Sequence, residues 1–360
     1  MELEHRIGQL LLIGLPGPRI DGGARELLET IQPGGVLLTE RNIDSAAQVA
    51  ELTSAIRSIL RVPPLIAVDQ EGGPVDRLKT IYTAMPSADL LRASKDASAA
   101  ARLGEITSEA LRSLGINTNL APVLDIAADE STENGLRDRC LGDSAAEVAR
   151  LAGAYLEGLL HGGVVGVGKH FPGLGSAKVD PHSALPQVDR PRDQLMLNDV
   201  LPYSELFSKI IARLNTVMVG HAHYPAFDGP SPLPASISKN IVTGLLREEL
   251  SFKGLTITDD MEMWAITKTR EFKDAVVQAI EAGNDMVMVA SSPELATEAW
   301  ESMSRAARED RITKQRISKS FDNIARVKST VSPPHPLTEA AVLRLRERIS
   351  ELNLSLQHSR

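Results

Sequence analysis

Two stretches of this chain bring reactive side chains close together. The first runs Lys169-His170-Phe171-Pro172-Gly173-Leu174-Gly175-Ser176-Ala177-Lys178-Val179-Asp180-Pro181-His182. It puts two histidines, a lysine and an aspartate on one strand-loop unit. Asp180, two residues before His182, can orient the imidazole and stabilise its charged form, which makes His182 a candidate loop-borne acid/base. The second stretch is Leu255-Thr256-Ile257-Thr258-Asp259-Asp260, an apolar run ending on paired carboxylates. A strand backbone would hold the Asp259 carboxylate rigidly, as a nucleophile requires. Taken singly, an Asp at a strand end is more often a cap for the next helix. That structural role is assigned to Asp260, ahead of a helix expected near Met261. Other runs also close on polar residues, Asp69-Gln70-Glu71 and His221-Ala222-His223. Several such ends converging outweigh the capping explanation that fits each one alone.

Elements must position these residues, and eight short apolar runs can do so: Leu10 to Leu15, Gly35 to Thr39, Leu65 to Asp69, Ile116 to Ala121, Val164 to His170, Thr216 to His221, Gly254 to Asp259 and Asp285 to Ala290. Most are continuously apolar rather than alternating, as parallel strands buried on both faces require. Amphipathic helices are expected between them at Ser45 to Leu60, Ser98 to Leu114, Ala145 to Leu160, Asp193 to Leu214, Ile241 to Leu250 and Asp274 to Ala282. Strand-helix alternation repeated eight times, with no Gly-rich dinucleotide fingerprint after the first strand, predicts an α/β fold. The expected architecture is a single (β/α)8 TIM-type barrel with long catalytic βα loops, an open doubly wound sheet being the runner-up. Residues 1–330 form the expected catalytic barrel domain. Residues 331–360 form a proline-rich turn, Ser332-Pro333-Pro334-His335-Pro336, and a helical tail from Leu337 to Leu352.

Composition narrows the partners. A formal charge of -8 with no dense Lys/Arg run would repel a phosphate backbone, so a small or neutral ligand is expected and nucleic acid is not. The single cysteine, Cys140, fits a reducing compartment and reads as a small packing residue. The acidic start Met1-Glu2-Leu3-Glu4-His5 is unlike a signal peptide, and Leu10 to Leu15 is too short to span a membrane. A cytoplasmic protein without membrane contact is expected, a monomer or weak homodimer.

The chain resembles glycoside hydrolase family 3, in the bacterial β-N-acetylhexosaminidase branch that acts in peptidoglycan recycling. The likeness rests on Ala67-Val68-Asp69-Gln70-Glu71-Gly72-Gly73, Leu120-Ala121-Pro122-Val123-Leu124-Asp125, Asp138-Arg139, Lys169 to Gly173, Asp180 to His182, and Thr258-Asp259-Asp260-Met261, in the family's order and rough spacing. It covers roughly residues 5 to 330 and implies double displacement on terminal β-linked N-acetylglucosamine. Asp259 would form a covalent glycosyl-enzyme, and the His182-Asp180 pair would be the acid/base. By position, Asp69, Arg77, Arg139, Lys169 and His170 would bind the hydroxyls and acetamido group of the sugar. A small carbohydrate or muropeptide is the implied substrate, with no cofactor and no metal, because two side chains suffice for this chemistry.

Three positions depart from the family pattern: Leu174 stands for a second histidine, Pro181 for a serine and Pro74 for an arginine. They keep open a sugar-binding homologue with impaired catalysis. Substrate-assisted hydrolysis through Asp259-Asp260 and a phosphorolytic variant also stay open. A metal-dependent hydrolase using His170, His221 and His223 is the remaining rival, although its histidine pair would come from the sixth strand and not the first.

Overall fold

A computed structural model describes residues 2–127, 134–180, 183–209 and 213–358. Its strands are β1 (Leu11–Gly14), β2 (Gly35–Leu38), β3 (Leu65–Val68), β4 (Gln70–Gly72), β5 (Val75–Asp76), β6 (Thr118–Asn119), β7 (Val165–Gly166), β8 (Gly168–Phe171), β9 (Thr216–Val219), β10 (Leu255–Asp260) and β11 (Met286–Val289). Nine of them form one parallel sheet in the order β7-β6-β3-β2-β1-β11-β10-β9-β8. The two ends of that ladder, β7 and β8, are separated only by Val167, so one stretch of chain pairs with β6 on one side and β9 on the other. This closes the sheet into the expected barrel. All eight predicted runs are in it, the fifth serving as both β7 and β8. The division has a local cause: Val167 N–H lies 3.0 Å from Asn119 O and 2.9 Å from Ala121 O, and the register slips there.

The fourth run is shorter than expected, with regular pairing only at Thr118–Asn119. Its asparagine side chains replace ladder bonds on either side. Asn117 Oδ1 accepts from Ile66 N at 2.7 Å, and Asn119 Oδ1 accepts from Gln70 N at 3.0 Å. The small antiparallel hairpin β4–β5 was not expected; it turns through Gly72 and Gly73, both at positive φ, where a Cβ would be strained.

The helices start where sequence signals place them. Ser45 and Gln48 form a reciprocal capping box ahead of Ala46–Ile59, Asp96 caps Ala97–Ser113, and Ser144 caps Ala145–His161. One expectation fails: Asp193 to Leu214 is two helices, Arg192–Leu197 and Leu201–Ser208. Pro202 has no N–H to give the Asn198 carbonyl, so the turn between them cannot close. The tail helix, Glu339–Gln357, buries Leu345, Ile349, Leu352 and Leu356 against the barrel. Among the described residues, no helix is long and apolar enough to cross a membrane.

Candidate active site

The C-terminal ends of the strands surround a cavity of about 460 Å³, of a size suited to a small ligand. Asp69, Arg77, Arg139, Lys169, His170, Asp180 and Asp259 all line it. The eighth predicted site residue, His182, lies outside the described residues, as does Pro181.

At one side of the cavity is a charged cluster. Asp69 follows β3 directly and Glu71 sits two residues on in β4, a spacing that puts side chains on one face of an extended run. Both meet Lys169 from β8, whose Nζ is 2.7 Å from Asp69 Oδ1 and 2.6 Å from Glu71 Oε1. Arg139 adds a planar fork, with Nε donating to Glu71 Oε2 at 2.8 Å and Nη2 to Oε1 at 2.9 Å. The Glu71 side chain is only 5% exposed. Burial alone would push its carboxyl up, but Lys169 and Arg139 together hold it down at about 2. Burial opposes the charge on Lys169 too, and the carboxylates of Asp69 and Glu71 override it, raising the ammonium above its usual range. Arg77 stands apart, 3.8 Å from the exposed Glu40.

His170 is oriented from beneath. Its Nδ1 lies 2.7 Å from Asp125 Oδ2. A carboxylate oxygen accepts, so Nδ1 carries a proton and Nε2 is left for a ligand. The other oxygen of Asp125 takes the N–H of Leu174 at 2.6 Å. Leu174 therefore contributes its backbone to the site, with an apolar side chain at the cavity wall.

Asp259, the penultimate residue of β10, is partly buried and faces the cavity. Burial pushes its carboxyl up, but His170, His221, the Asp260 N–H and Lys169 act the other way and leave it below the usual range. Its Oδ1 accepts from Asp260 N at 2.8 Å. The group is therefore a fixed, ionised carboxylate at neutral pH. Asp260 is structural, though not as a helix cap, since the following helix starts only at Trp264; its carboxylate takes backbone N–H groups of Glu262 and Ala290 instead.

The loop carrying Asp180 is pinned at both ends. On the near side Asn134 Nδ2 donates to Gly175 O at 2.9 Å and Ala177 O at 3.0 Å, and Tyr224 Oη donates to Gly173 O at 2.7 Å. On the far side Val188 N–H donates to His223 O at 2.9 Å, and Arg190 Nη1 lies 2.9 Å from Asp199 Oδ2. Sequence reasoning had not singled out Glu71, Asp125 or Asn134 as site residues.

Among the described residues no group of three or more His, Cys, Asp or Glu is placed to hold a metal ion. His221 has both ring nitrogens engaged, Nε2 at 2.9 Å from the Asp260 carbonyl oxygen and Nδ1 at 2.7 Å from Ser236 Oγ. The carbonyl can only accept, so Nε2 bears the proton and Nδ1 accepts from the serine, as suits a ring that burial keeps neutral. Cys140 is buried, and burial pushes its thiol up, which makes it a packing residue rather than a nucleophile.

A closed parallel β/α barrel with a polar, sugar-sized cavity at the strand ends and an ionised carboxylate within it defines a barrel hydrolase. The chain belongs to glycoside hydrolase family 3: residues 2–327 match the description "Glycosyl hydrolase family 3 N terminal domain". It is 37% identical over 290 residues to a beta-hexosaminidase of Alkalilimnicola ehrlichii, covering 79% of this chain and 81% of that protein. It is 33% identical over 283 residues to a beta-hexosaminidase of Idiomarina loihiensis, covering 78% and 83% respectively. Among solved structures, a family 3 beta-N-acetylglucosaminidase from Paenibacillus sp. str. FPU-7 superimposes with a TM-score of 0.90 at 34% identity, over 98% of this chain and 69% of that one.

Proposed function

We propose that this chain hydrolyses terminal β-linked N-acetylglucosamine with retention of configuration, from peptidoglycan fragments such as muropeptides. The observation that carries this reading is that Asp259 and Asp180, from two motifs nearly eighty residues apart in the chain, line one cavity of sugar size. In the first step the free oxygen of Asp259 forms a bond to C1 while the C1–O bond to the aglycone breaks, and His182 gives its proton to the leaving oxygen. In the second, His182 takes a proton from water, the water oxygen bonds to C1 and the Asp259–C1 bond breaks. Asp180 orients His182 and stabilises its protonated form. Asp69, Arg77, Arg139, Lys169 and His170 bind the ring substituents, the cluster of fixed charges rejecting sugars that leave it unpaired. Residues 1–330 are read as the catalytic barrel and 331–360 as an appended tail. The unpaired Cys140 favours a cytoplasmic setting, and the chain is read as a monomer or weak homodimer.

Two inversions at C1 give net retention, so proton NMR of the reaction with an aryl β-N-acetylglucosaminide should show the β-anomer of the free sugar first. First appearance of the α-anomer would remove the reading. His182→Ala should lower kcat/KM by about 10²-fold for an alkyl glycoside, whose leaving oxygen needs a proton, and by much less for a dinitrophenyl glycoside, whose leaving group does not. Equal losses on both substrates would assign His182 another role.

A further inference from the structure

The ends of β10 and β11 are joined by contacts that the chemistry above does not use. Asp260 Oδ1 accepts the N–H groups of Glu262 and Ala290, each at 3.1 Å. Glu262 accepts the next two, from Ser291 and from Ser292, the latter at 2.7 Å. Three successive N–H groups of the strap 290–292 thus end on two carboxylates. The strap's carbonyls are held from the other side by Arg41, whose Nη2 donates to Ala290 O at 2.7 Å and to Ser291 O at 3.2 Å, while its Nε donates to Leu15 O at 2.7 Å. Gly14 leaves room for this, since a Cβ there would lie 1.8 Å from Ala290 O.

Side chains, then, and not a sheet ladder, fix the strap. Its near face meets the cavity through Ala290 and Ser291, and Glu262 grips it from outside the cavity lining. The same unit reaches the candidate nucleophile, because the residue that binds Ala290 N–H through its side chain, Asp260, donates its own N–H to Asp259 Oδ1.

We propose that Glu262 is a positioning residue for the nucleophile: with Asp260 and Arg41 it locks strap 290–292 to the end of β10, and so fixes the carboxylate of Asp259 in the orientation from which it attacks. This rests on the assignment of Asp259 as nucleophile. Charge takes part as well as geometry. Asp260 is held up to about 7, first by burial and then by the negative charge of Glu262. The other charged or titratable groups around it are Asp259 on its own strand, His221 from the end of β9, which donates to its carbonyl, and Arg41 from the turn after β2. Removing the Glu262 charge lets Asp260 ionise at lower pH.

The test uses the full chain with an aryl β-N-acetylglucosaminide. Glu262→Gln keeps one acceptor and the same shape. It should lower kcat roughly tenfold with KM within about twofold, and shift the acid limb of the kcat profile to lower pH. Glu262→Ala should lower kcat further with KM still unchanged. Wild-type kcat in both variants, or an acid limb that does not move in Glu262→Gln, overturns the proposal; if the alanine variant fails to fold, the isosteric glutamine variant decides it. Asp259→Ala runs beside them, because activity in that variant would strike at the nucleophile assignment and not at Glu262.

Discussion

Asp259→Ala should abolish turnover of a chromogenic β-N-acetylglucosaminide, a loss of roughly 10⁴-fold or more, while the protein stays folded. The loss is large because no other group can take over. Asp260, the adjacent carboxyl group, is occupied by two backbone N–H groups and is held up to about 7 by burial and by Glu262, so it is tethered and much of it carries a proton near neutrality. Asp259 in contrast is kept ionised, with one oxygen on the Asp260 N–H and the other left to form a bond. Folding tolerates the change since the side chain faces a cavity rather than the packed core. A covalent intermediate gives a second readout. A 2-fluoro sugar with an activated leaving group weakens the oxocarbenium-like transition states of both steps, and the good leaving group rescues only the first, so the adduct accumulates. Peptide mass spectrometry should find that adduct on Asp259. A label elsewhere would move the nucleophile to that residue, and no inactivation at all, by a probe whose fluorine replaces the acetamido group, would point to the acetamido oxygen as the attacking group of the natural reaction.

The barrel was legible because strands buried on both faces must be apolar at every position, and that pattern survives in the sequence without any knowledge of partners. Strand-end residues were legible for the same reason, since a polar residue closing an apolar run has to face the mouth. What escaped depends on pairings across long stretches of chain. Glu71 was visible beside Asp69, and the two-residue offset could have placed both on one face, but its claim on Lys169 and Arg139 comes only from the closing of the barrel. Asp125 is similar: it closes an apolar segment, but its partner His170 is 45 residues away. The break at Asn198 to Val200 was signalled by Pro202 and lost under the stronger apolar periodicity on either side of it. The grip of Glu262 on strap 290–292 leaves no trace in pattern at all, because the groups it binds are backbone N–H groups that every residue but proline has.

Glu71→Gln should be among the most damaging substitutions in the site, in stability and in activity alike. Glutamine has the shape of glutamate but not its charge, so Lys169, which is almost wholly buried, and Arg139 would share Asp69 and a neutral acceptor where they now share a carboxylate. Breaking a buried ion cluster on one side costs about 3–5 kcal/mol, chiefly from the charge left uncompensated. The pH dependence gives an independent check. Folding lowers the Glu71 carboxyl from 4.5 to about 2, a shift worth roughly 3 kcal/mol. A depressed carboxylate stabilises the fold fully above its unfolded value and loses that contribution as pH falls through the folded one. Urea unfolding at a series of pH values should therefore show wild type and Glu71→Gln separated by a constant gap from about pH 5 to 8, narrowing below about 4.5 and largely closed near 2. With Lys169 and Arg139 free to move, kcat/KM should also fall by about 10²-fold, since the sugar would be bound by displaced donors. A gap that is absent at neutral pH, or one that persists unchanged into acid, would mean that the cluster is not held by this carboxylate's charge, and the electrostatic account of the cavity would fail with it.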